Sequence, residues 1–216
     1  STFKFLKKKA DVYLFDDNRI VNQKIIGLNK LLKTKFDIII ISPGIDISNC
    51  KLSIFLKKNF LKIYTDLDVF CSFYKNTSIA ITGTNGKSTT AKILHDALVD
   101  QKRDSRLIGN IGNPVLSEKK ISKKTFFVIE VSSYQLEYSK IFTTKYAVIL
   151  NISSDHIERH KNLTNYVNAK FKLLEGQTKQ SFAYVKKNDE LISKRLKKYR
   201  FKQKIFEVDS SNVKKI

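Results

Sequence analysis

The run Ile79-Ala80-Ile81-Thr82-Gly83-Thr84-Asn85-Gly86-Lys87-Ser88-Thr89-Thr90 decides how the rest of the chain is read. Its opening residues suit a buried strand, its glycines suit a tight turn, and a helical pattern begins at Lys87. Strand, glycine turn and helix in that order make an anion site, because backbone N–H groups converge in the turn and the helix N-terminus adds unpaired donors and partial positive charge. Phosphate is the natural occupant, with Gly83, Thr84, Asn85, Gly86, Lys87, Ser88 and Thr89 as its contacts. Lys87 is placed to reach terminal phosphates, and the Ser88 hydroxyl to ligate Mg²⁺. The general Walker pattern wants glycine where Ile81 stands, so that motif is met only in part. A glycine turn that merely caps a helix is the competing interpretation.

On either side of this run, short β-rich segments alternate with longer helical ones, the pattern of an α/β protein built on a parallel sheet. Strands are expected at 11–15, 36–41, 61–64, 78–82, 126–131, 147–151, 181–185 and 205–208, and helices at 48–58, 66–74, 87–101, 164–174 and 189–199. Several strands are apolar throughout, as strands covered on both faces are. The polar stretch 74–77 marks a boundary between a small Rossmann-like unit over 1–75 and a P-loop, parallel-sheet unit over 76–216.

Composition narrows the classes further. Hydrophobic residues make up 42% of the 216 and aromatics 11%, ordinary for a globular chain and without an apolar run long enough to span a membrane. Cys50 and Cys71 have neither metal-ligand spacing nor disulfide density, so reduced thiols and a cytoplasmic setting are expected. The formal charge of +21 invites a nucleic-acid interpretation. The excess is nearly all lysine, spread from Lys4 to Lys215, with few arginines to grip phosphates bidentately, so no nucleic-acid partner is expected.

Gly-Thr-Asn-Gly-Lys-Ser over 83–88 resembles the compact phosphate loop of the Mur ligases of bacterial cell-wall synthesis and of the folylpolyglutamate synthases. The resemblance implies ATP-dependent joining of an amino acid to a carboxylate through an acyl phosphate, with Mg²⁺ as cofactor. Phe126-Phe127-Val128-Ile129-Glu130 then places Glu130 at a strand end, where open parallel sheets bind ligands. Alone, such a glutamate is more often simply solvated. With the residues that follow it, Glu-x-Ser-Ser-x-Gln-Leu over 130–136 resembles the branch of the family that adds D-glutamate to UDP-N-acetylmuramoyl-L-alanine.

Asn151-Ile152-Ser153-Ser154-Asp155-His156-Ile157-Glu158-Arg159-His160 is similar to a family segment whose first histidine, here His156, ligates a second Mg²⁺. Without the resemblance Asp155 and His156 read as a capped turn. The family carries a carbamylated lysine at the place of Lys170, which the resemblance makes a metal ligand together with Ser88, Glu130 and His156. The catalytic set so implied is Lys87, Glu130, His156 and Lys170. On the substrate side the resemblance implies Asn110, in Gly109-Asn110-Ile111-Gly112, and the Ser42-Pro43-Gly44 turn, which would approach the UDP diphosphate. Asp17 and Asn18 are a looser match to the uridine-reading position and read equally as a solvated turn.

The resemblance runs from about residue 11 to 185. Against the family, the opening glycine-bearing strand is expected to be missing before Ser1, the C-terminal domain to be absent after residue 216, and the central unit to be cut short. Closure by that domain keeps water from the acyl phosphate, so these 216 residues alone are expected not to turn over, and to be monomeric. Another Mur ligase, a folylpolyglutamate synthase-like ligase and a non-catalytic P-loop module stand as alternatives.

Overall fold

The computed structural model describes residues 1–16 and 25–209. The first stretch holds α1 (Thr2–Leu6), α2 (Leu28–Lys33), β1 (Ile39–Ile40), α3 (Ser53–Lys58), β2 (Ile63–Tyr64) and α4 (Asp66–Phe73), with β1 and β2 paired in parallel. Ile41, Ile47, Leu56 and Ile63 form its small core. The expected strand over 11–15 is reduced to one bridge, Leu14 to Ile25, and the one over 36–41 to β1. The helix expected from 48 starts at Ser53. Asp46 accepts from the Ser48 amide at 2.8 Å and the Asn49 side chain at 2.7 Å, a local turn that competes with helix.

A second sheet follows, of β3 (Ser78–Thr82), β4 (Ser105–Gly109), β5 (Phe126–Glu130), β6 (Tyr146–Ile149), β7 (Phe182–Lys186) and β8 (Lys204–Val208), all parallel in the order β4-β5-β3-β6-β7-β8. Its helices are α5 (Lys87–Asp100), α6 (Ser133–Glu137), α7 (Ile157–His160), α8 (Leu163–Glu175) and α9 (Glu190–Lys198). Side-chain alternation sorts its two faces. Ile81 and Val128 point toward α5 and meet Ala91, Leu94 and Leu98. Ala80, Phe127, Ile129, Ala147, Ile149, Ala183 and Val185 point to the opposite face, against α4, α6, α8 and α9. The class is therefore the expected parallel α/β one. No strand is expected over 105–109, and its parallel pairing with 126–130 makes it one, β4.

Helix α4 packs on the larger sheet. Leu67, Phe70 and Cys71 are buried in its core, and the Phe70 ring meets Phe127 edge-on at 4.9 Å. A capping box between Thr65 and Asp68 starts this helix. Asp68 is only 1% exposed and does more than cap. One carboxylate oxygen accepts from the Ser139 hydroxyl at 2.7 Å and from the amides of Lys140, Ile141 and Phe142 at 2.9, 2.8 and 3.1 Å. The other accepts from the Thr65 amide at 2.9 Å and its hydroxyl at 3.1 Å.

Truncating that carboxylate strands buried donors on two segments. Asp68→Ala is expected to cost about 3 kcal/mol, the scale of several buried groups left unpaired, and to lower the melting temperature by roughly 6–12 °C. A shift no larger than that of Asp100→Ala, at the exposed end of α5, would show that the hub carries little stability.

Candidate active site

The loop 83–86 leaves the carboxyl end of β3 beside the loop that follows β6. These neighbouring strands send their connections to opposite sides of the sheet, α5 toward β4 and α8 toward β7. Open α/β sheets bind ligands in such a crevice. Gly86 adopts φ 82° as the N-cap of α5, a left-handed conformation natural to glycine that turns the chain into the helix.

Asn151 holds the loop from both sides. Its side-chain oxygen accepts from the Asn85 amide at 2.9 Å, its side-chain nitrogen donates to the Asn85 carbonyl at 3.1 Å, and its own carbonyl accepts from the Thr84 amide at 2.9 Å. The Thr84 hydroxyl accepts from the Ser153 amide at 3.0 Å and shares a 3.1 Å hydrogen bond with the Tyr166 hydroxyl. Lys87 curls back to donate to the Thr84 carbonyl at 2.8 Å, while Ser88 and Thr89 stand exposed in the first turn of α5.

Lys170 reaches this loop from α8, in the core of the opposite face. Its side chain is among the largest that are fully buried, and its amine donates to the Gly83 carbonyl at 2.8 Å and lies 4.5 Å from the Tyr166 ring centre. Burial, and then the charge of Lys87, pull its pKa down to about 7, with Asp155 opposing. Glu130, paired with Ile81 across β5 and β3, is 1% exposed and shares the α5 face with Val128. Asn110 donates to one of its oxygens at 2.8 Å, and the other is buried without a hydrogen-bond partner. Gly109 makes that approach possible, since at φ 109° a Cβ would fall 2.2 Å from the Glu130 carbonyl oxygen.

His156 is the N-cap of α7 with φ 51° and remains exposed. Its ring centre lies 5.0 Å from Tyr134 and 6.3 Å from Tyr166. His160, buried beneath, bonds through Nε2 to the Ser133 hydroxyl at 3.0 Å. Burial and the nearby Arg159 charge push its pKa down to about 4, which leaves it neutral near pH 7. Tyr166, not singled out in the sequence, thus touches Thr84, Lys170, His156 and His160. The signal was its place one turn before Lys170 on an amphipathic helix. Asn151, which the sequence shows only as part of a motif, anchors the loop. Ser132 and Gln135, read as a family marker, form a capping box that starts α6.

On the substrate side, Ser42 closes a turn by accepting from the Ile45 amide at 3.0 Å, and a Cβ on Gly44 would meet nothing within 4 Å. Asp17 and Asn18 lie outside the described residues. The unpartnered Glu130 oxygen is of the kind a hard divalent cation takes. A protonated Lys170 has no lone pair to offer a metal, so that side chain fits Mg²⁺ only when converted to an anion. Among the described residues no three His, Cys, Asp or Glu side chains lie close enough to hold a metal, so other oxygens must complete any such shell. Nor is any described helix long and apolar enough to cross a membrane.

The sheet order, the glycine loop and the strand-end carboxylate define an α/β protein whose ligand crevice sits at the carboxyl ends of its parallel strands. Comparison with known proteins narrows the class: the family model of the Mur ligase middle domain matches residues 81–215. A UDP-N-acetylmuramoylalanine--D-glutamate ligase of Rickettsia felis is 37% identical over 195 residues, 86% of this chain and 43% of the relative. The ligase of the same name from Clostridioides difficile is 34% identical over 158 residues, 72% of this chain and 35% of the relative. The chain belongs to the Mur ligase family, and it spans less than half the length of these relatives. In fold it is similar to the UDP-N-acetylmuramate:L-alanyl-gamma-D-glutamyl-meso-diaminopimelate ligase of Neisseria meningitides, at a TM-score of 0.57 and 16% identity over 79% of this chain and 58% of that one. The MurF ligase of Thermotoga maritima in complex with ADP gives 0.51 and 14% over 94% of this chain and 43% of that one.

The lowered pKa of Lys170 makes stability depend on pH. Below pH 7 both folded and unfolded chains hold its proton; between about 7 and the ordinary 10.5 only the unfolded chain does. Unfolding free energy therefore rises with pH across that window. In buffer freed of carbon dioxide, the urea midpoint of the wild type is expected to gain on that of Lys170→Met between pH 6 and pH 9. A constant difference between the two would contradict the shift.

Proposed function

We propose that the protein of which these residues are part is an ATP-dependent ligase that adds D-glutamate to UDP-N-acetylmuramoyl-L-alanine, in the cytoplasm, for peptidoglycan synthesis. The observation that carries this reading is the buried Lys170 amine bonded to the glycine loop, and a strand-end glutamate with an unpartnered oxygen supports it. The D-glutamate-ligase relatives support the choice of amino acid.

In this reading the triphosphate of ATP lies along Gly83, Thr84, Asn85, Gly86, Ser88 and Thr89, and Lys87 leaves the Thr84 carbonyl to meet its terminal phosphates. Ser88 and Glu130 would hold one Mg²⁺, and His156 with carbamylated Lys170 a second; these ions supply positive charge where carboxylate and triphosphate meet. Above pH 7 the Lys170 amine is largely neutral, the form that adds to carbon dioxide. Ser42, Pro43 and Gly44 would seat the UDP diphosphate, Asp17 and Asn18 the uridine, and Asn110 the substrate near Glu130. A carboxylate oxygen of UDP-N-acetylmuramoyl-L-alanine attacks the γ-phosphorus and the bond to ADP breaks, leaving an acyl phosphate. The D-glutamate amine then attacks the acyl carbon, the amide forms, and inorganic phosphate departs. Exclusion of water protects the intermediate between these steps.

The test uses the complete polypeptide that carries these residues. Phosphate release from MgATP should require both UDP-N-acetylmuramoyl-L-alanine and D-glutamate. Lys87→Ala, Glu130→Gln and Lys170→Ala should each lower kcat by roughly 10²–10³-fold, the scale of removing a charge-stabilising group. A carbamate carbon signal from ¹³C-bicarbonate should vanish in Lys170→Arg. Turnover with another amino acid in place of D-glutamate would overturn the assignment.

A further inference from the structure

Arg159 lies on α7, the short helix that His156 opens, and its side chain is 11% exposed. Its guanidinium donates to the Ile45 carbonyl at 2.9 Å and lies 3.5 Å from Asp46, both in the turn that begins at Ser42. It also pairs with Glu137 on α6 at 2.7 Å and sits 5.6 Å from the ring centres of Tyr134 and Tyr138. The Tyr138 hydroxyl in turn accepts from the Ile47 amide at 3.3 Å. One side chain thus joins three pieces of backbone: the 42–47 turn, α6 and the His156 segment. A planar fork of five donors in fixed geometry can do this at once, whereas the point charge of a lysine cannot. The clustering is specific, because a half-buried Glu137 requires its counter-charge to remain in place.

We propose that Arg159 is a positioning residue that fixes the spacing between the Ser42–Gly44 turn and His156, so that a nucleoside diphosphate seated at the turn is felt at the metal-side segment. The inference rests on the proposed reading of those two segments. The Arg159 guanidinium contacts neither the nucleotide nor a metal-ligating side chain in that reading, while its backbone amide donates to the His156 carbonyl at 3.2 Å; the residue sets where their holders stand.

The primary variant is Arg159→Lys in the complete polypeptide, since it keeps a positive charge beside Glu137 and so protects the fold; Glu137→Gln is the second. Both should raise KM for the UDP-linked substrate by about tenfold, the worth of a lost hydrogen bond to a charged group, with KM for ATP unchanged. A purely structural role would instead reduce the active fraction and leave both KM values alone. Hydrogen exchange supplies a readout independent of turnover. Added uridine diphosphate should slow exchange in residues 156–160 of the wild type and leave those of Arg159→Lys unaffected. Ligation by the wild type with unchanged KM in both variants, or with equal slowing in wild type and variant, overturns the inference and spares the ligase assignment. Absence of wild-type ligation overturns that assignment, and the exchange experiment then decides on Arg159 alone: loss of the slowing in Arg159→Lys supports it, and no slowing in the wild type overturns it.

Discussion

Lys170 carries its amine into the core under the larger sheet and meets one acceptor there, the carbonyl of Gly83. A buried ammonium is costly, and a single neutral carbonyl does not offset the loss of water. The loop after β3 must therefore present that carbonyl at the depth where α8 delivers the amine. Tyr166, one turn earlier, covers the amine with its ring and ties its hydroxyl to Thr84. A single helix in this way sets the loop's position at two successive residues. The position of α8 is in turn secured by Phe171, Leu173 and Leu174, all buried.

Two other charged side chains act by the same principle, each fixing loops that hydrophobic packing alone would leave free. Asp68 gathers donors from the start of α4 and from the segment after α6, joining elements that bracket the whole glycine loop region in sequence. Arg159 joins the small sheet's turn to the larger unit. The Arg159 connection follows the carboxyl end of β6, where an α/β sheet keeps its exposed loops and where a site needs its parts held in place, whereas the Asp68 connection holds the segment that enters β6.

Much of the larger sheet was legible from residues alone. Strands β3, β5, β6 and β7 announce themselves as apolar runs, and α5, α8 and α9 as periodic helices with polar faces. β4 was not, because Gly109 and the following Gly-x-Pro signal a turn, and only its neighbour β5 supplies the partner that makes 105–109 a strand. The small unit holds less regular structure than its residues suggest. Ser48 and Asn49 fit a helical pattern in composition, yet their hydrogen bonds to Asp46 hold a turn. At the site, the glycine loop and Glu130 were legible through motif and strand-end position. Asn151 was not, because its importance comes from tertiary hydrogen bonds that no spacing encodes, and Tyr166 is marked only by its place one turn before Lys170, which does not foretell its bond to Thr84.

The two-sided grip of Asn151 on the peptide groups of Asn85 has a thermal corollary. A cradle shaped by the protein's own amide pairings exists before any guest arrives, so the entropy of ordering it is met during folding and not at each encounter. The same arrangement makes the cradle only as durable as the end of β6, to which Asn151 is attached. Warming that frays this strand end would blur the cradle while the apolar layers beneath were still intact, and affinity would fade at a lower temperature than the fold.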